Sequence, residues 1–524
     1  MPQKTRTHPF RIPEPYRAAI LSALIAGIII HFFGLLNPVH NYDDIHAQPF
    51  GYGTGISSGR WFLFLLGEFA LKYGLSYNLP WLNGIIFLVL IAIIAGFLVS
   101  TLQIQSKLSA ILIGAMVVSF PAATATLFFK FTAPYYGVAI LLAVMAAWVL
   151  GRFKFSLLVS ALCTALSLGI YQSYTPLTIA ILVLMLIRYA LSDNADCYTI
   201  IKRGFYYCAS LILGVILYVV LLRVLLNLTK MELSDYQGIN QMGVISLQNL
   251  PALVATAFLD GIKLSSTNYA GLSTSAAVQA MYLFLNVTSI GTVVYILIKK
   301  RKSIGIIILT ALLCLVFPIA ANFIVVMCPD SVIYTLMLYG MVIVPCFPLV
   351  VFECLPGEHH ISVPVKKWIQ NCAAAAISII ILFYSYEANV SYTALYFANR
   401  QTENYFNSMV AQIRMTEGFT ADKDWVFLGN IEDPLLSSMW DWETRYGGSA
   451  DSISLLNSYS RPDWLENYIG YSVTLYDAFS DEGEELINEL IHHEEVKAMP
   501  RWPDYGSIRV IGSSVVVKFQ ELAN

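Results

Sequence analysis

The chain has 524 residues, of which 57% are hydrophobic and only 12% charged. A soluble protein needs about a quarter of its residues charged to cover its surface. With a mean hydropathy of +0.65, the composition excludes an ordinary soluble enzyme and points to a polytopic membrane protein. The formal net charge of −3 leaves no basic footprint for nucleic acid.

Residues 1–17 carry Lys4, Arg6, Arg11 and Arg17, and the chain turns apolar from Ala18 to Leu36. That run is too long for the apolar core of a signal peptide, and no small-residue cleavage site follows it. A retained first transmembrane helix is expected. At about 20 apolar residues per crossing, about eleven spans are predicted. They lie near 18–36, 81–101, 108–127, 135–151, 155–172, 176–190, 205–226, 279–298, 304–322, 332–353 and 368–388. The windows 135–151 and 176–190 are short and close to their neighbours. The eight cysteines fall in apolar segments or short loops without metal-ligand spacing, so they read as buried thiols.

Lysine and arginine orient the chain. With the N-terminus in the cytoplasm, the even-numbered connections hold Lys107, Arg152, Lys154, Arg188, Lys202, Arg203, the Lys299–Lys302 cluster, Lys366 and Lys367. The odd-numbered ones hold Lys72, Lys130, Lys230 and Lys263. This predicts a transmembrane domain over 1–388 with a structured first external loop at 37–80 and a second at 227–278. The segment 389–524 is then an external domain. Within the first loop, Trp61 to Leu75 is too short to span and sets Glu68 and Lys72 one turn apart, as in an interfacial helix. In the C-terminal segment, Asp481 to His493 reads as an acidic helix. Ser507 to Phe519 reads as a hairpin of two β-branched strands around Gly-Ser-Ser. The expected fold is a polytopic α-helical membrane protein with a small C-terminal external α/β domain, without internal repeats.

The chemistry-bearing residues gather in the first external loop, HNYDDIHAQPFGYGTGISSGRW, residues 40–61. Asp43 and Asp44 would be ordinary solvated residues or a helix N-cap if they stood alone. They instead sit next to the membrane edge, where an unpaired charge is costly. They are grouped with His40, His46 and Arg60, which can pair with them or with a phosphate. Gly51, Gly53, Gly55 and Gly59 let the backbone fold over a ligand. Two further cations stand near outer helix ends, Lys130 and Arg223. Either binds phosphate or snorkels to lipid headgroups. Lys230, Glu232 and Asp235 read as solvated. The run Tyr171-Gln172-Ser173-Tyr174-Thr175-Pro176 either lines a sugar pocket or belongs to an interfacial aromatic belt. Tyr384, Tyr386, Tyr392 and Tyr396 have the same two readings, and Asn322 is equally ambiguous. The pairs His359-His360 and His492-His493 diverge in direction, so no metal site is expected.

An N-terminal helix, an external loop with paired or single Asp, an interfacial helix, many further helices and an external C-terminal domain together resemble the GT-C glycosyltransferases. Within that class, Asn41-Tyr42-Asp43-Asp44 through Ser58-Gly59-Arg60-Trp61 resembles the GtrII-type glucosyltransferases, which decorate bacterial surface polysaccharides such as O-antigen. Asp44-Ile45-His46-Ala47-Gln48 is also similar to the Asp-x-x-Ala-Gln run of eukaryotic lipid-linked-oligosaccharide glucosyltransferases, whose Asp is the proposed base. The specific likeness covers about residues 37–100.

The resemblance implies a polyprenyl-phosphate sugar donor, with glucose as the sugar, and a polysaccharide acceptor. It implies transfer on the outer face of the bacterial cytoplasmic membrane, among membrane lipids, with the C-terminal domain in the periplasm. A donor-synthesising glycosyltransferase and a flippase would act upstream. Asp44 becomes the general base, with Asp43 as its alternative or orienting partner. Arg60, Lys130 and Arg223 are the phosphate candidates, and His40, His46, Gln48, Tyr171 and Gln172 the candidates for acceptor and loop contacts. Some members of the class use a divalent ion. Many need none, and these residues form no closed ligand set, so the resemblance requires no cofactor and leaves a divalent metal open. A transporter or flippase for a lipid-linked sugar is the alternative, and it should place ionisable residues or broken helices at mid-membrane. The predicted spans have almost none. A purely assembly-building role leaves the acid pair unexplained.

Overall fold

A computed structural model of the chain describes residues 12–235, 248–329, 331–355, 363–429, 456–457, 459–477 and 483–521. The membrane part contains α1 (Glu14–Leu36), α2 (Tyr42–His46), α3 (Trp61–Lys72), α4 (Pro80–Thr101), α5 (Lys107–Ser119), α6 (Pro121–Leu127), α7 (Ala133–Val149) and α8 (Ser156–Ile170). It continues through α9 (Thr175–Leu191), α10 (Cys197–Thr229), α11 (Leu250–Lys263), α12 (Ala276–Lys299), α13 (Ile304–Ala321), α14 (Ile324–Met327) and α15 (Cys346–Glu353). Helix starts follow local chemistry. Ser106, Asp196, Ser275 and Ser303 cap α5, α10, α12 and α13 through their side-chain oxygens, satisfying amides that the first turn leaves unpaired.

Among the described residues, 8 helices are long and apolar enough to cross a membrane, or 9 if the pair α5 and α6, bent by 42°, is one span. The expected spans near 135–151 and 155–172 become α7 and α8, of 17 and 15 residues. These are apolar but short, which accounts for the difference from eleven. The 176–190 window gains length because a 3-10 turn, Gln172–Tyr174, leads straight into α9. α1 packs on α4 and α5, and α7 packs between α4 and α8.

The last long helix, α16 (Val363–Met415), has 53 residues. At 1.5 Å per residue it is about 80 Å long, well beyond the roughly 30 Å of a hydrocarbon core. It passes the expected boundary at 388/389 without a break. Its far end enters the core of the C-terminal β-sheet domain, where Phe406, Met409, Val410 and Ile413 are buried with Trp425, Phe427, Val515 and Val517. That domain adds β1 (Asp424–Leu428), α17 (Ser460–Trp464), β2 (Leu475–Asp477), α18 (Glu484–His492), α19 (Glu494–Lys497), β3 (Ile508–Ile511) and β4 (Ser514–Lys518). The strand order is β2-β1-β4-β3, with β1 parallel to both β2 and β4. β3 and β4 form the expected antiparallel hairpin, and α18 the expected acidic helix. The strand period of two sorts the residues: Val515 and Val517 face α16, while Val516 joins Ile487, Leu490 and Val496 under α18 and α19.

In the connection between α1 and α4, α3 buries Trp61, Leu63, Gly67 and Ala70 and exposes Leu65, Phe69 and Leu71. An interfacial helix presents such an apolar face to lipid.

Candidate active site

α2 is a single short turn, and it exists because the chain is tied at its N-terminal end. Asn41 Oδ1 accepts the Asp44 amide at 2.7 Å, while Asn41 Nδ2 donates to the Phe128 carbonyl at 2.7 Å. Lys130 Nζ donates to the Val39 carbonyl at 2.9 Å, and Asn399 of α16 donates to the His40 carbonyl at 3.0 Å. The turn between α6 and α7 thus holds the acid pair from below.

The two acids face different surroundings. Asp44 is 3% exposed. Its Oδ1 accepts the Phe131 amide at 3.1 Å. Its Oδ2 is buried without a hydrogen-bond partner, as is His40 Nδ1. Burial pushes the Asp44 carboxyl well above the usual range, against the opposing charge of Lys130. Burial likewise pulls the Lys130 ammonium down. It lowers His40 to about 3, with Lys130 adding to the effect, so that imidazole is neutral. Asp43 is only partly buried. Its carboxyl is raised by burial, against the Tyr459 hydrogen bond and the charges of His46 and Arg60. Adjacent in sequence, the two carboxylates therefore point to different environments.

Arg60 approaches from the end of the same loop. Gly59, at φ +71°, turns the chain out of the 3-10 segment Ile56–Ser58. Tyr218 donates to the Gly59 carbonyl at 3.0 Å, and Gln172 donates to the Ser58 carbonyl at 3.0 Å. Arg60 Nη1 donates to the Tyr136 hydroxyl at 3.1 Å, and its guanidinium lies 4.7 Å over the Tyr171 ring. Tyr136 and Tyr171 stack with centroids 4.5 Å apart. Arg60 Nε is buried and unpartnered. A fixed guanidinium with unspent donors, backed by aromatic rings, can receive an anionic oxygen.

The C-terminal domain closes the other side. Ile45 is buried in that domain's core with Trp464 and Leu465. Tyr459 donates to Asp43 Oδ1 at 2.6 Å. His46 pairs with Asp463 at 2.8 Å, and this hydrogen bond raises the imidazole pKa against burial. Asn467 donates to the Gln48 carbonyl at 3.4 Å, and His40 lies edge-on to Tyr468 with centroids 5.2 Å apart.

The fold therefore groups Asp43, Asp44, His40, His46, Arg60, Lys130, Tyr171 and Gln172 around one loop. Gln48 takes part through its backbone. Arg223 does not join them. It is exposed on α10, next to Leu222, which packs under Ile56 and Trp61. Tyr136, Tyr218, Tyr459, Asp463 and Tyr468 belong to the cluster and were not singled out from sequence. Among the described residues no group of three or more His, Cys, Asp or Glu could hold a metal ion. His359-His360 lies outside them.

A family model described as glucosyl transferase GtrII matches residues 32–345, more than half of the chain. No curated protein and no solved structure matches it.

Proposed function

The chain belongs to the glucosyl transferase GtrII family and is a multi-pass membrane glycosyltransferase, and we propose that it moves glucose from a polyprenyl-phosphate carrier to a surface polysaccharide of the O-antigen kind. The transfer takes place on the outer face of the bacterial cytoplasmic membrane. The observation that carries this reading is the placement of Asp43. Its carboxylate is partly exposed and within electrostatic reach of Arg60, while Tyr459 holds it from the other side.

Transfer requires one bond to form and one to break. The acceptor oxygen bonds to the anomeric carbon as the bond from that carbon to the phosphate oxygen breaks. In-line displacement inverts the centre. The acceptor hydroxyl is a poor nucleophile until a carboxylate takes its proton, a contribution of about 10²–10⁴ in rate. Asp43 is the carboxylate that a substrate can reach. The departing phosphate gains charge, and Arg60 with the Tyr136 hydroxyl supplies donors for it in a site shielded from water. Asp44 is the second reading for the base, favoured by its unpartnered Oδ2 and raised pKa.

The test uses full-length purified protein, polyprenyl-phosphate glucose, and surface polysaccharide from a host deleted for this protein. Asp43→Asn should lose transfer by about 10² or more while Asp44→Asn retains most of it. The reverse order assigns the base to Asp44. Full activity in both variants refutes the mechanism. Wild-type protein that flips the lipid-linked sugar in vesicles without transferring it would establish transport instead.

A further inference from the structure

The match to known family members ends at residue 345, yet the site continues into the external domain. Two substrates of opposite character must meet at one carboxylate. A polyprenyl phosphate arrives from the bilayer, and a polysaccharide arrives from solvent. Around Arg60 the site is walled by packed rings, with Tyr171 and Tyr174 6% and 0% exposed. The side of Asp43 that meets the C-terminal domain is open, with Tyr459 42% exposed and the His46 side chain 60% exposed.

Three rings converge on that open side. Tyr42 and Tyr459 lie edge-to-face with centroids 6.1 Å apart, and His46 and Tyr459 at 5.2 Å. The Tyr459 hydroxyl is committed to Asp43 Oδ1 at 2.6 Å, which fixes the ring against the carboxylate. Asp463, 28% exposed, holds His46 from behind. Tyrosine offers a large, rigid, amphipathic contact surface at low entropic cost. A sugar ring lying on it presents its C–H face to the π system and its hydroxyls to the carboxylates and imidazole at the rim.

Building on the functional reading above, we propose that Tyr42, His46 and Tyr459 form the acceptor-sugar subsite, so that the external domain supplies the wall against which the polysaccharide lies. Tyr459 touches the acceptor with its ring and positions Asp43 with its hydroxyl.

Initial rates are measured with polyprenyl-phosphate glucose and the deletion-host polysaccharide varied in turn. Tyr459→Leu should raise KM for the polysaccharide about fivefold or more, as loss of one aromatic contact requires, with KM for the donor within about twofold. Tyr459→Phe keeps the ring and should hold the polysaccharide KM near wild type, which also guards against misfolding of the leucine variant. The proposal is overturned if Tyr459→Leu moves both KM values together or neither. Full activity in both Asp43→Asn and Asp44→Asn would instead refute the functional reading, a separable result.

Discussion

Tyr459 donates a 2.6 Å hydrogen bond to Asp43 across 416 residues of chain. The acceptor of that bond lies in the family-matched region and the donor lies outside it. Its chemical consequence is set by which protonation state it favours. A phenol donating to a carboxylate stabilises the ionised form. It therefore works against burial, which raises the Asp43 pKa.

Tyr459→Phe removes only that hydroxyl. The Asp43 pKa then rises further. A general base must be ionised, so activity is lost as pH falls through its pKa. The acid limb of the kcat/KM profile should accordingly move to higher pH. A pH profile of the purified variant reads this directly. An unmoved acid limb would mean that the hydroxyl does not act on the base.

Lys130 gives a prediction about stability. It is 1% exposed, and it opposes the burial of Asp44. Lys130→Met leaves the Val39 carbonyl unpaired and Asp44 without compensation. A loss on the order of 3 kcal/mol is expected, as for a broken buried pair. Adding Asp44→Asn should recover part of that loss, because the uncompensated charge is gone. Thermal unfolding in detergent of both singles and the double closes the cycle. Simple additivity would show that the two residues do not interact.

Much of the membrane part was legible because an apolar run of about 20 residues has few alternatives. The hairpin Ile508–Lys518 was legible because two short runs rich in β-branched residues flank a Gly-Ser turn. The boundary at 388/389 followed composition, whereas the helix does not. Phe406, Met409, Val410 and Ile413 keep helical spacing far past the apolar run. Asp43, Asp44 and Arg60 could be grouped because they share one loop. Tyr136 and Tyr218 could not, because a tyrosine in an apolar helix reads as a belt residue. Tyr459 and Asp463 gave no local signal, since their partners are over 400 residues away. Arg223 looked like a phosphate ligand because a lone arginine in an apolar run asks for a partner. The helix instead turns it outward, where its stem and head can reach headgroups.

Arg60 gives a prediction about the donor. Its guanidinium both bonds to Tyr136 and lies over Tyr171. A lysine could supply the charge but neither the planar stack nor the fork of donors. Arg60→Lys should therefore lose about tenfold or more in kcat/KM, and Arg60→Ala about a hundredfold. Substrate-velocity curves with the polysaccharide at saturation test this. Wild-type kinetics in Arg60→Lys would assign the residue a purely electrostatic part.

Gly59 ties the loop's backbone to that same arginine. Its φ of +71° is left-handed, and a Cβ there would come within 2.7 Å of the Tyr218 hydroxyl and 2.8 Å of Gln172 Nε2. Neither neighbour can yield cheaply, because both hold the carbonyls of this turn. Gly74 serves as a control, having φ +68° and nothing within 4 Å of an added Cβ. Both alanine substitutions carry the left-handed backbone cost of about 1 kcal/mol. Only Gly59→Ala must also displace Tyr218 or Gln172, and with them Arg60. Gly59→Ala should thus lower the unfolding midpoint more than Gly74→Ala and raise KM for the donor, which Gly74→Ala leaves alone. Parallel melting curves and donor titrations distinguish the two costs. Equal effects would mean that the turn relaxes around the methyl group without moving Arg60.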